Sequence, residues 1–284
     1  MKSFIKKHKK IIIILTAVFL VLFSAYCFFQ NNFLVTSSFT VSDEEIPEEF
    51  DGFTMVQVSD FHNTHSEILQ KDILSELERI KPDIILLTGD FIDCRRTDIP
   101  LAVSYAEKLI KIAPVYFSTG NHEAYTEDFP VLEKELLALG VKVLRNSSSY
   151  IERDGAKLCI MGLDDPTMEE CEDKYETIRE IITNAPYDDS VYTVTLSHRP
   201  ELFSVYCEKG LDLVLSGHAH GGQFRIPFIG GLYIPTEGLF PKYTEGLHSE
   251  NGTDMVISRG IGASIFPIRL NNRPELVTVT LESE

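Results

Sequence analysis

Residues 84–93 read IILLTGDFID, an apolar run that ends in a glycine and two carboxylates. Short runs rich in branched apolar side chains are typical of buried strands. The same form recurs in segments 54–62 (TMVQVSDFH), 115–123 (VYFSTGNHE), 192–198 (YTVTLSH) and 211–220 (LDLVLSGHAH). The sequence therefore predicts buried strands that present polar side chains where they end.

These runs alternate with segments of helical spacing. Strands are expected at 54–59, 84–88, 115–118, 141–144, 158–161, 192–197 and 211–216. Helices are expected at 66–80, 102–112, 131–139 and 171–183. The acidic stretch 42–51 (SDEEIPEEFD) is interpreted as a solvated turn after a first, exposed strand. Alternation of strand and helix predicts an α/β domain.

Polar side chains at several strand ends predict one shared site, because ligands bind at the carboxyl ends of strands in α/β sheets. A single histidine at such a place is more often structural than a ligand, but five of the eight histidines follow these runs. The expected set is Asp60, His62, Asp90, Asp93, Asn121, His122, Glu123, His198, His218 and His220. Carboxylates, imidazoles and an amide, without a thiolate, favour divalent first-row metal ions over structural zinc.

The N-terminus differs from the rest of the chain. Residues 1–10 hold five lysines and no acid, and residues 11–29 (IIIILTAVFLVLFSAYCFF) hold no charge, proline or glycine. At about 1.5 Å per residue, this segment makes a helix ~28 Å long, close to the thickness of a bilayer core. We predict an uncleaved transmembrane anchor. The alternative is a cleaved signal peptide, whose apolar region usually has only about 7–15 residues and ends in a small-x-small site.

The flanking charges predict the orientation of this anchor, because basic residues beside a membrane segment stay in the cytoplasm. Five lysines precede the segment, and the first basic residue after it is Lys71. Residues 1–10 are therefore expected to be a cytoplasmic head, and residues 34–284 an extracytoplasmic domain at the cell membrane. The cysteines form no CxxC pair, so separate buried thiols are expected, with a disulfide as the alternative.

The composition excludes one class of function. The formal net charge is −17, from 26 basic and 43 acidic residues. Binding of nucleic acid by basic patches needs clustered lysine and arginine, so it is excluded as a main activity. An acidic chain can still bind an anionic phosphate through metal ions that its carboxylates hold.

Five sequence blocks follow one another in a fixed order. They are Asp60-Phe61-His62, Gly89-Asp90-Phe91-Ile92-Asp93, Gly120-Asn121-His122-Glu123, Ser197-His198 and Gly217-His218-Ala219-His220. Their order resembles that of the binuclear metallophosphoesterases, or calcineurin-like phosphoesterases, over about residues 34–284. Segments 221–223 (GGQ), 238–243 (GLFPKY) and 258–262 (SRGIG) are similar to a membrane-anchored branch of that family. The resemblance implies a four-layer αββα sandwich after the single transmembrane helix.

The resemblance also implies a role for each ligand. Two metal ions are expected, held by these two sets of residues with Asp90 as a bridge: Asp60, His62, Asp90 and His220, and Asp90, Asn121, His198 and His218. His122 is expected beside the leaving oxygen, as proton donor or stabilising cation, and oriented by Asp93. For Asp93 a loop or helix cap is the alternative. Manganese is the first expectation, with iron, zinc or nickel as alternatives.

The implied activity is hydrolysis of a phosphoester or pyrophosphate bond by a metal-bridging hydroxide. The resembling branch includes enzymes acting on UDP-diacylglucosamine and exported, wall-associated phosphoesterases, so a lipid-linked or nucleotide-sugar-lipid substrate is expected. The alternative is a catalytically silent scaffold of this fold, tethered at the membrane. Such scaffolds usually lack one of the ligands, whereas this sequence has them all. The oligomeric state is left open.

Some residues beside the blocks have two interpretations. Arg95 and Arg96 either contact a substrate phosphate or balance surface charge. A set of aromatic residues either floors an apolar cleft that faces the bilayer or packs in the core: Phe224, Phe228, Tyr233 and Phe240.

Overall fold

The computed structural model describes residues 2–170, 172–235, 237–263 and 267–284. Its helices are α1 (Lys2–Asn32), α2 (Glu67–Ile80), α3 (Ile99–Leu109), α4 (Asn121–Ala124), α5 (Phe129–Leu139), α6 (Lys174–Asn184) and α7 (Phe203–Glu208). Its strands are β1 (Val35–Asp43), β2 (Thr54–Val58), β3 (Ile84–Thr88), β4 (Val115–Ser118), β5 (Lys142–Val143), β6 (Ser147–Arg153), β7 (Ala156–Gly162), β8 (Thr193–Leu196), β9 (Leu213–Ser216), β10 (Arg225–Ile226), β11 (Gly230–Gly231), β12 (Tyr233–Ile234), β13 (Gly238–Leu239), β14 (Gly246–Glu250), β15 (Thr253–Ile257) and β16 (Glu275–Ser283).

Most strands belong to two six-stranded sheets. The first has the order β1-β16-β2-β3-β4-β5, and the second has the order β14-β15-β9-β8-β7-β6. Strands β2 to β5 pair in parallel, and so do β7, β8, β9 and β15. Parallel strands end at the same edge of a sheet, so the residues that follow them meet there.

The two sheets pack face to face, with helices on both outer faces. In β3, Ile84 and Leu86 join an apolar cluster shared with the second sheet, whereas Ile85 and Leu87 join the cluster under α2, α3 and α5. A third cluster packs α6 and α7 on the second sheet. Burial on both faces explains the unbroken apolar run in β3, and each such side chain contributes about 1.5–3 kcal/mol. The predicted αββα sandwich is confirmed.

The predicted helices are present, with different first residues. α3 begins at Ile99 because Asp98 caps it, its Oδ1 accepting the N–H of Leu101 at 3.0 Å. α6 begins at Lys174, after the N-cap Asp173. Capping by a carboxylate satisfies one free N–H of the first turn. Of the predicted segment 171–183, Cys171 lies outside the described residues.

The sequence pattern missed four strands of the two sheets, β6, β14, β15 and β16. β6 (SSSYIER) and β14 (GLHSE) are edge strands with mostly half-buried or exposed residues, so they show no apolar run. β16 lies between β1 and β2, a pairing of distant chain ends that no local pattern predicts. The acidic turn 42–51 is present, although Ile46 and Phe50 within it are buried in the core.

The anchor segment lies in the uninterrupted helix α1. Residues His8–Asn32 form a candidate membrane span by length and composition. Three amide side chains of the last turn accept hydrogen bonds from the domain: Gln30 from the Asn272 N–H at 3.1 Å, Asn31 from the Arg269 N–H at 3.1 Å, and Asn32 from the Ser66 hydroxyl at 2.6 Å. Helix α1 is therefore hydrogen-bonded directly to the domain.

Asp212, just before β9, gives a pH-dependent test of this fold. Its Oδ2 accepts the N–H of Thr193, in the neighbouring strand β8, at 2.7 Å. Burial raises the pKa of Asp212 from 3.8 to about 6. A carboxyl group with a raised pKa in the folded state stabilises the fold at low pH, and this contribution is lost as the pH rises from about 4 to about 6.

Asp212→Asn keeps an acceptor for Thr193 and removes the charge. We expect it to raise the thermal unfolding midpoint by about 2–4 °C at pH 8, which corresponds to ~1 kcal/mol after allowance for partial exposure, with little gain at pH 4. Asp154→Asn, on an exposed turn, controls for the lost negative charge. Thermal unfolding of the purified chain at both pH values would contradict this explanation if the gain were equal at both.

Candidate metal centre

The expected ligands lie on tight turns where strands end. Asp60, Asp90 and His218 follow β2, β3 and β9, and their φ angles are positive at 52°, 52° and 62°. A non-glycine residue in this left-handed region costs about 1 kcal/mol, and backbone strain of this kind clusters at functional sites. The first two turns are also joined, because the His62 N–H donates to the Asp90 carbonyl at 3.0 Å.

Asp60, His62 and His220 form the first cluster of donor atoms. His220 Nε2 lies 3.2 Å from Asp60 Oδ1 and 3.1 Å from His62 Nε2. The Asp60 carboxylate is oriented by the Ser59 hydroxyl at 2.6 Å and the His218 N–H at 3.1 Å. The three donor atoms lie within 4.8 Å of one another, which is close enough to hold one metal ion.

Asp90, His198 and His218 form the second cluster. His198 Nδ1 lies 2.8 Å from the Thr88 carbonyl. A carbonyl can only accept, so Nδ1 carries a proton and Nε2 is the atom that can bind a metal. Asn121 Oδ1 is buried and has no hydrogen-bond partner among the described residues. An unpaired buried amide oxygen is expected at a site that binds a cation.

Asp90 lies between the two clusters. Its Oδ2 is 3.7 Å from His62 Nε2 in the first cluster and 3.1 Å from His198 Nε2 in the second. The backbone N–H of His122 donates to its other oxygen at 2.8 Å. One carboxylate therefore faces both groups of donor atoms.

The buried carboxylates of this site attract positive charge. Burial raises the pKa of Asp60 to about 6, and the nearby Asp90 carboxylate adds to the shift. Burial would also raise the pKa of Asp90, but His198, His122 and His62 hold it well below its usual range. Burial by itself would lower the pKa of His198, but the Asp90 carboxylate raises it to about 10.

The other histidines of the two clusters are neutral. Burial lowers the pKa of His62 to about 3. Burial, assisted by Arg199, lowers the pKa of His218 to about 4, and burial holds the pKa of His220 well below its usual range. Neutral imidazole is the form that binds metals. The oxygen and nitrogen donors, the shared carboxylate and the unpaired Asn121 oxygen fit a binuclear metal site.

His122 lies beside the clusters with its Nε2 3.9 Å from Asp90 Oδ2. The backbone N–H of Cys94 donates to His122 Nδ1 at 3.1 Å. Because Nδ1 accepts this bond, the neutral ring carries its proton on Nε2. The proton therefore lies on the nitrogen nearer Asp90 and both clusters.

Asp93 has contacts that fit both of its expected roles, orientation of His122 and capping of its own loop. Its Oδ1 lies 3.8 Å from His122 Nδ1, within ion-pair distance. The same oxygen accepts the N–H of Arg95 at 2.9 Å, as a loop cap does. Asp93 therefore caps its own loop while it faces His122.

Glu123 is in the expected set of polar residues at the strand ends, but the sequence assigned it no specific role. Its buried carboxylate accepts three backbone N–H groups: Asp90 at 2.8 Å, Ile92 at 3.2 Å and Gly120 at 2.7 Å. Burial raises its pKa to about 7. Glu123 thus joins the loop after β3 to the loop after β4. The sequence feature that could have identified this role is the presence of an acidic residue, Glu123, within an otherwise buried block.

A pair of oppositely charged side chains, Arg199 and Asp165, lies beside His218. Arg199 forms two hydrogen bonds with Asp165, at 2.7 Å and 3.1 Å, and its Nη1 lies 3.3 Å from His218 Nε2. Asp165 follows β7, so it occupies the same kind of strand end as the ligands.

Residues near the C-terminus hold His220 in place. Asn272 Nδ2 donates to the His220 carbonyl at 2.7 Å and to the Gln223 carbonyl at 3.0 Å. The buried Arg269 guanidinium lies 3.2 Å from His220 Nδ1. No block marks these residues in the sequence, because their contacts with His220 span about fifty positions.

A pocket opens over the two clusters. Its lining includes Asp90, Asn121, His122, His218 and His220 from the strand ends, Arg95, Tyr125 and Arg199, and an apolar side made by Tyr233, Ile234 and Pro235. Of the two adjacent arginines, Arg95 lines the pocket, whereas the Arg96 side chain is 74% exposed. Of the aromatic set, Tyr233 lines the pocket, and Phe228 and Phe240 are exposed rather than packed in the core.

Comparisons with known proteins agree with this geometry. A family model described as calcineurin-like phosphoesterase matches residues 53–222. Among relatives, the uncharacterized metallophosphoesterase YkuE of Bacillus subtilis is 31% identical, over 90% of this chain and 88% of its own length. Phosphodiesterase YaeI of Escherichia coli is 29% identical, over 81% and 82% of the two chains. A transmembrane protein with metallophosphoesterase domain from Danio rerio is 28% identical over 84% of this chain, which spans 55% of that relative.

The fold and the clustered donors define a binuclear metallohydrolase of the αββα class. The chain belongs to the calcineurin-like phosphoesterase family. It is a metal-dependent phosphoesterase.

Gly89 is a test of the loop geometry. It has a φ of +84°, and a Cβ placed there would lie 2.6 Å from His198 Nδ1 and 2.7 Å from Gly120 Cα. We expect Gly89→Ala to displace the Asp90 loop and to lower phosphoesterase activity about a hundredfold, because small displacements of reacting groups cost that much.

Gly140→Ala is the matched control, since Gly140 has a φ of +89° and no atom within 4 Å of an added Cβ. It should lose only about 1 kcal/mol of stability and keep its activity. Activity and unfolding temperature are measured for both variants. Equal activity in the two would contradict the proposed packing at Gly89.

Proposed function

We propose that this chain is a membrane-anchored, two-metal phosphoesterase that hydrolyses a phosphoester or pyrophosphate bond in a lipid-linked substrate. The observation that carries the proposal is the position of Asp90, whose Oδ2 lies 3.7 Å from His62 and 3.1 Å from His198. A carboxylate shared by two donor clusters suits a pair of divalent cations.

Two sets of residues would hold the metal ions: Asp60, His62, Asp90 and His220, and Asp90, Asn121, His198 and His218. Manganese is the proposed native metal, with iron, zinc and nickel to be compared in reconstitution. When bound, the cations would supply Lewis-acid charge to the phosphoryl oxygens and lower the pKa of a coordinated water.

His122 is the proposed proton donor to the leaving oxygen. Its Nδ1 is occupied by the Cys94 N–H, so the transferable proton lies on Nε2. Asp93, whose Oδ1 lies 3.8 Å from Nδ1, is proposed to orient the His122 ring. Arg95 lines the same pocket and is proposed to bind phosphoryl oxygens that do not react.

The proposed location of the protein at the membrane rests on helix α1. The span His8–Asn32 is long and apolar enough to cross a bilayer, and a relative from Danio rerio is named as a transmembrane protein. Five lysines precede the apolar segment and no further lysine or arginine follows until Lys71, which favours a cytoplasmic N-terminus and an extracytoplasmic domain, residues 34–284. An anchored domain meets lipid-linked substrates at the bilayer surface, and the apolar side of the pocket at Tyr233, Ile234 and Pro235 suits part of such a molecule.

Substitution of Asp90 and His122 separates metal binding from proton transfer. We expect Asp90→Asn and His122→Asn each to lower turnover by about a hundredfold or more. Only Asp90→Asn should also lower the metal content. The full chain is stripped with a chelator, reloaded with manganese, and assayed on a bis-aryl phosphodiester and an aryl phosphomonoester, with metal content determined in parallel.

His248→Asn is the control, because His248 lies on the edge strand β14 outside the clusters. It should retain both metal and turnover. Activity that survives Asp90→Asn, or that does not depend on added metal, would refute the proposed site.

The orientation has its own test. Protease added to intact cells is expected to digest the domain, because the flanking lysines favour an N-terminus inside. Immunoblotting with a tag at the C-terminus follows the digestion, and permeabilised cells control for intrinsic resistance. Full protection in intact cells together with digestion after permeabilisation would reverse the proposed orientation.

A further inference from the structure

The connection between β9 and β14 carries an exposed apolar hairpin. β10 and β11 pair antiparallel and are joined by residues 227–229, here named the apolar tip. Phe228 in the tip is fully exposed, and Ile229 is 66% exposed. Large apolar side chains lose about 1.5–3 kcal/mol each when they stay in water instead of being buried. An exposed pair at a hairpin end therefore indicates a contact surface.

The apolar tip is joined to the anchor helix through Asn271. The Tyr26 hydroxyl donates to Asn271 Oδ1 at 2.5 Å, and Asn271 Nδ2 donates to the Arg225 carbonyl at 3.1 Å. Arg225 is the first residue of β10, at the base of the hairpin. Tyr26 precedes the end of α1 by six residues, which is about 9 Å along the helix axis. The domain thus reaches down the side of α1 as far as Tyr26.

Tyr26 marks the expected level of the membrane surface. It lies with Phe28, Phe29 and Phe33 at the outer end of the apolar segment, and aromatic residues of this kind gather at membrane–water interfaces. Arg273 stacks over the Phe29 ring at 4.9 Å. An arginine beside aromatic residues that lie within about two helical turns of one another is typical of the headgroup region.

Other exposed apolar side chains lie on neighbouring segments. Ile268 is 41% exposed and precedes Arg269, whose N–H is bonded to Asn31 of the anchor. Leu239 and Phe240 are 69% and 56% exposed, and the Phe240 N–H donates to the Leu232 carbonyl beside the hairpin. Exposed apolar side chains therefore also occur on the segment bonded to the anchor and on the segment bonded beside the hairpin.

We propose that the apolar tip inserts into the surface of the same bilayer that α1 crosses, as a second membrane contact of the domain. The inference rests on the proposed membrane anchoring. The bilayer is the assigned occupant because the base of the hairpin is hydrogen-bonded, through Asn271, to Tyr26 near the aromatic end of the anchor. A helix and a hairpin together restrict rotation of the domain about the helix axis. They hold the pocket wall at 233–235 in a fixed position relative to the lipid.

The absence of tryptophan from the sequence provides a direct test. Phe228→Trp and Ile229→Trp each place a unique fluorophore on the tip, and Phe23→Trp places one in the anchor. Leu137→Trp is the control, because Leu137 is 56% exposed on α5, beside β5. β5 is the far edge of the first sheet. It lies five strand spacings, about 24 Å, from β1, the strand that directly follows α1. The full chain is reconstituted into phosphatidylcholine–phosphatidylglycerol vesicles with and without bromine on the upper acyl chains.

We expect brominated lipid to lower the fluorescence of the tip variants and of Phe23→Trp, while Leu137→Trp is unchanged. Quenching at Phe23→Trp without quenching at either tip position would overturn the inference and leave the anchor intact. No quenching at Phe23→Trp would overturn the anchor, and the inference with it. Equal quenching at Leu137→Trp and the tip would also contradict the proposed contact.

Discussion

The structure depends on keeping two carboxylates, Asp60 and Asp90, buried next to each other at the ends of neighbouring parallel strands. Like charges repel strongly away from water, so this arrangement requires positive charge between and around them. The donor atoms around Asp90, with His198 Nε2 among them, provide places for two cations. The left-handed turns, the buried glycines and the Glu123 bridge hold these groups against that repulsion.

The same constraint explains how much the sequence could predict. The central strands are buried on both faces, so β3 and its neighbours read as apolar runs, and the residues after them point to one edge. Glu123, Asp165 and Arg269 act by holding other residues, and no local pattern marks such a role. Edge strands such as β6 and the C-terminal strand β16 were also missed, because pairing between distant parts of the chain determines them.

A short segment near the C-terminus links the anchor to the metal centre. Arg269 and Asn272 bind Asn31 and Gln30 of the helix through their backbone N–H groups. Their side chains contact the ring and the carbonyl of His220. The helix end and one of the proposed ligands are thus held by the same few residues. The end of the apolar helix α1 and the geometry of the site are therefore parts of one hydrogen-bonded structure.

The most direct test of a two-metal site that shares Asp90 is the anomalous scattering of manganese in crystals of the metal-loaded protein. We expect two manganese peaks, with the Asp90 carboxylate between them. One peak should lie among Asp60, His62 and His220, and the other among Asn121, His198 and His218. A single peak, or two peaks that do not share Asp90, would contradict this two-metal site.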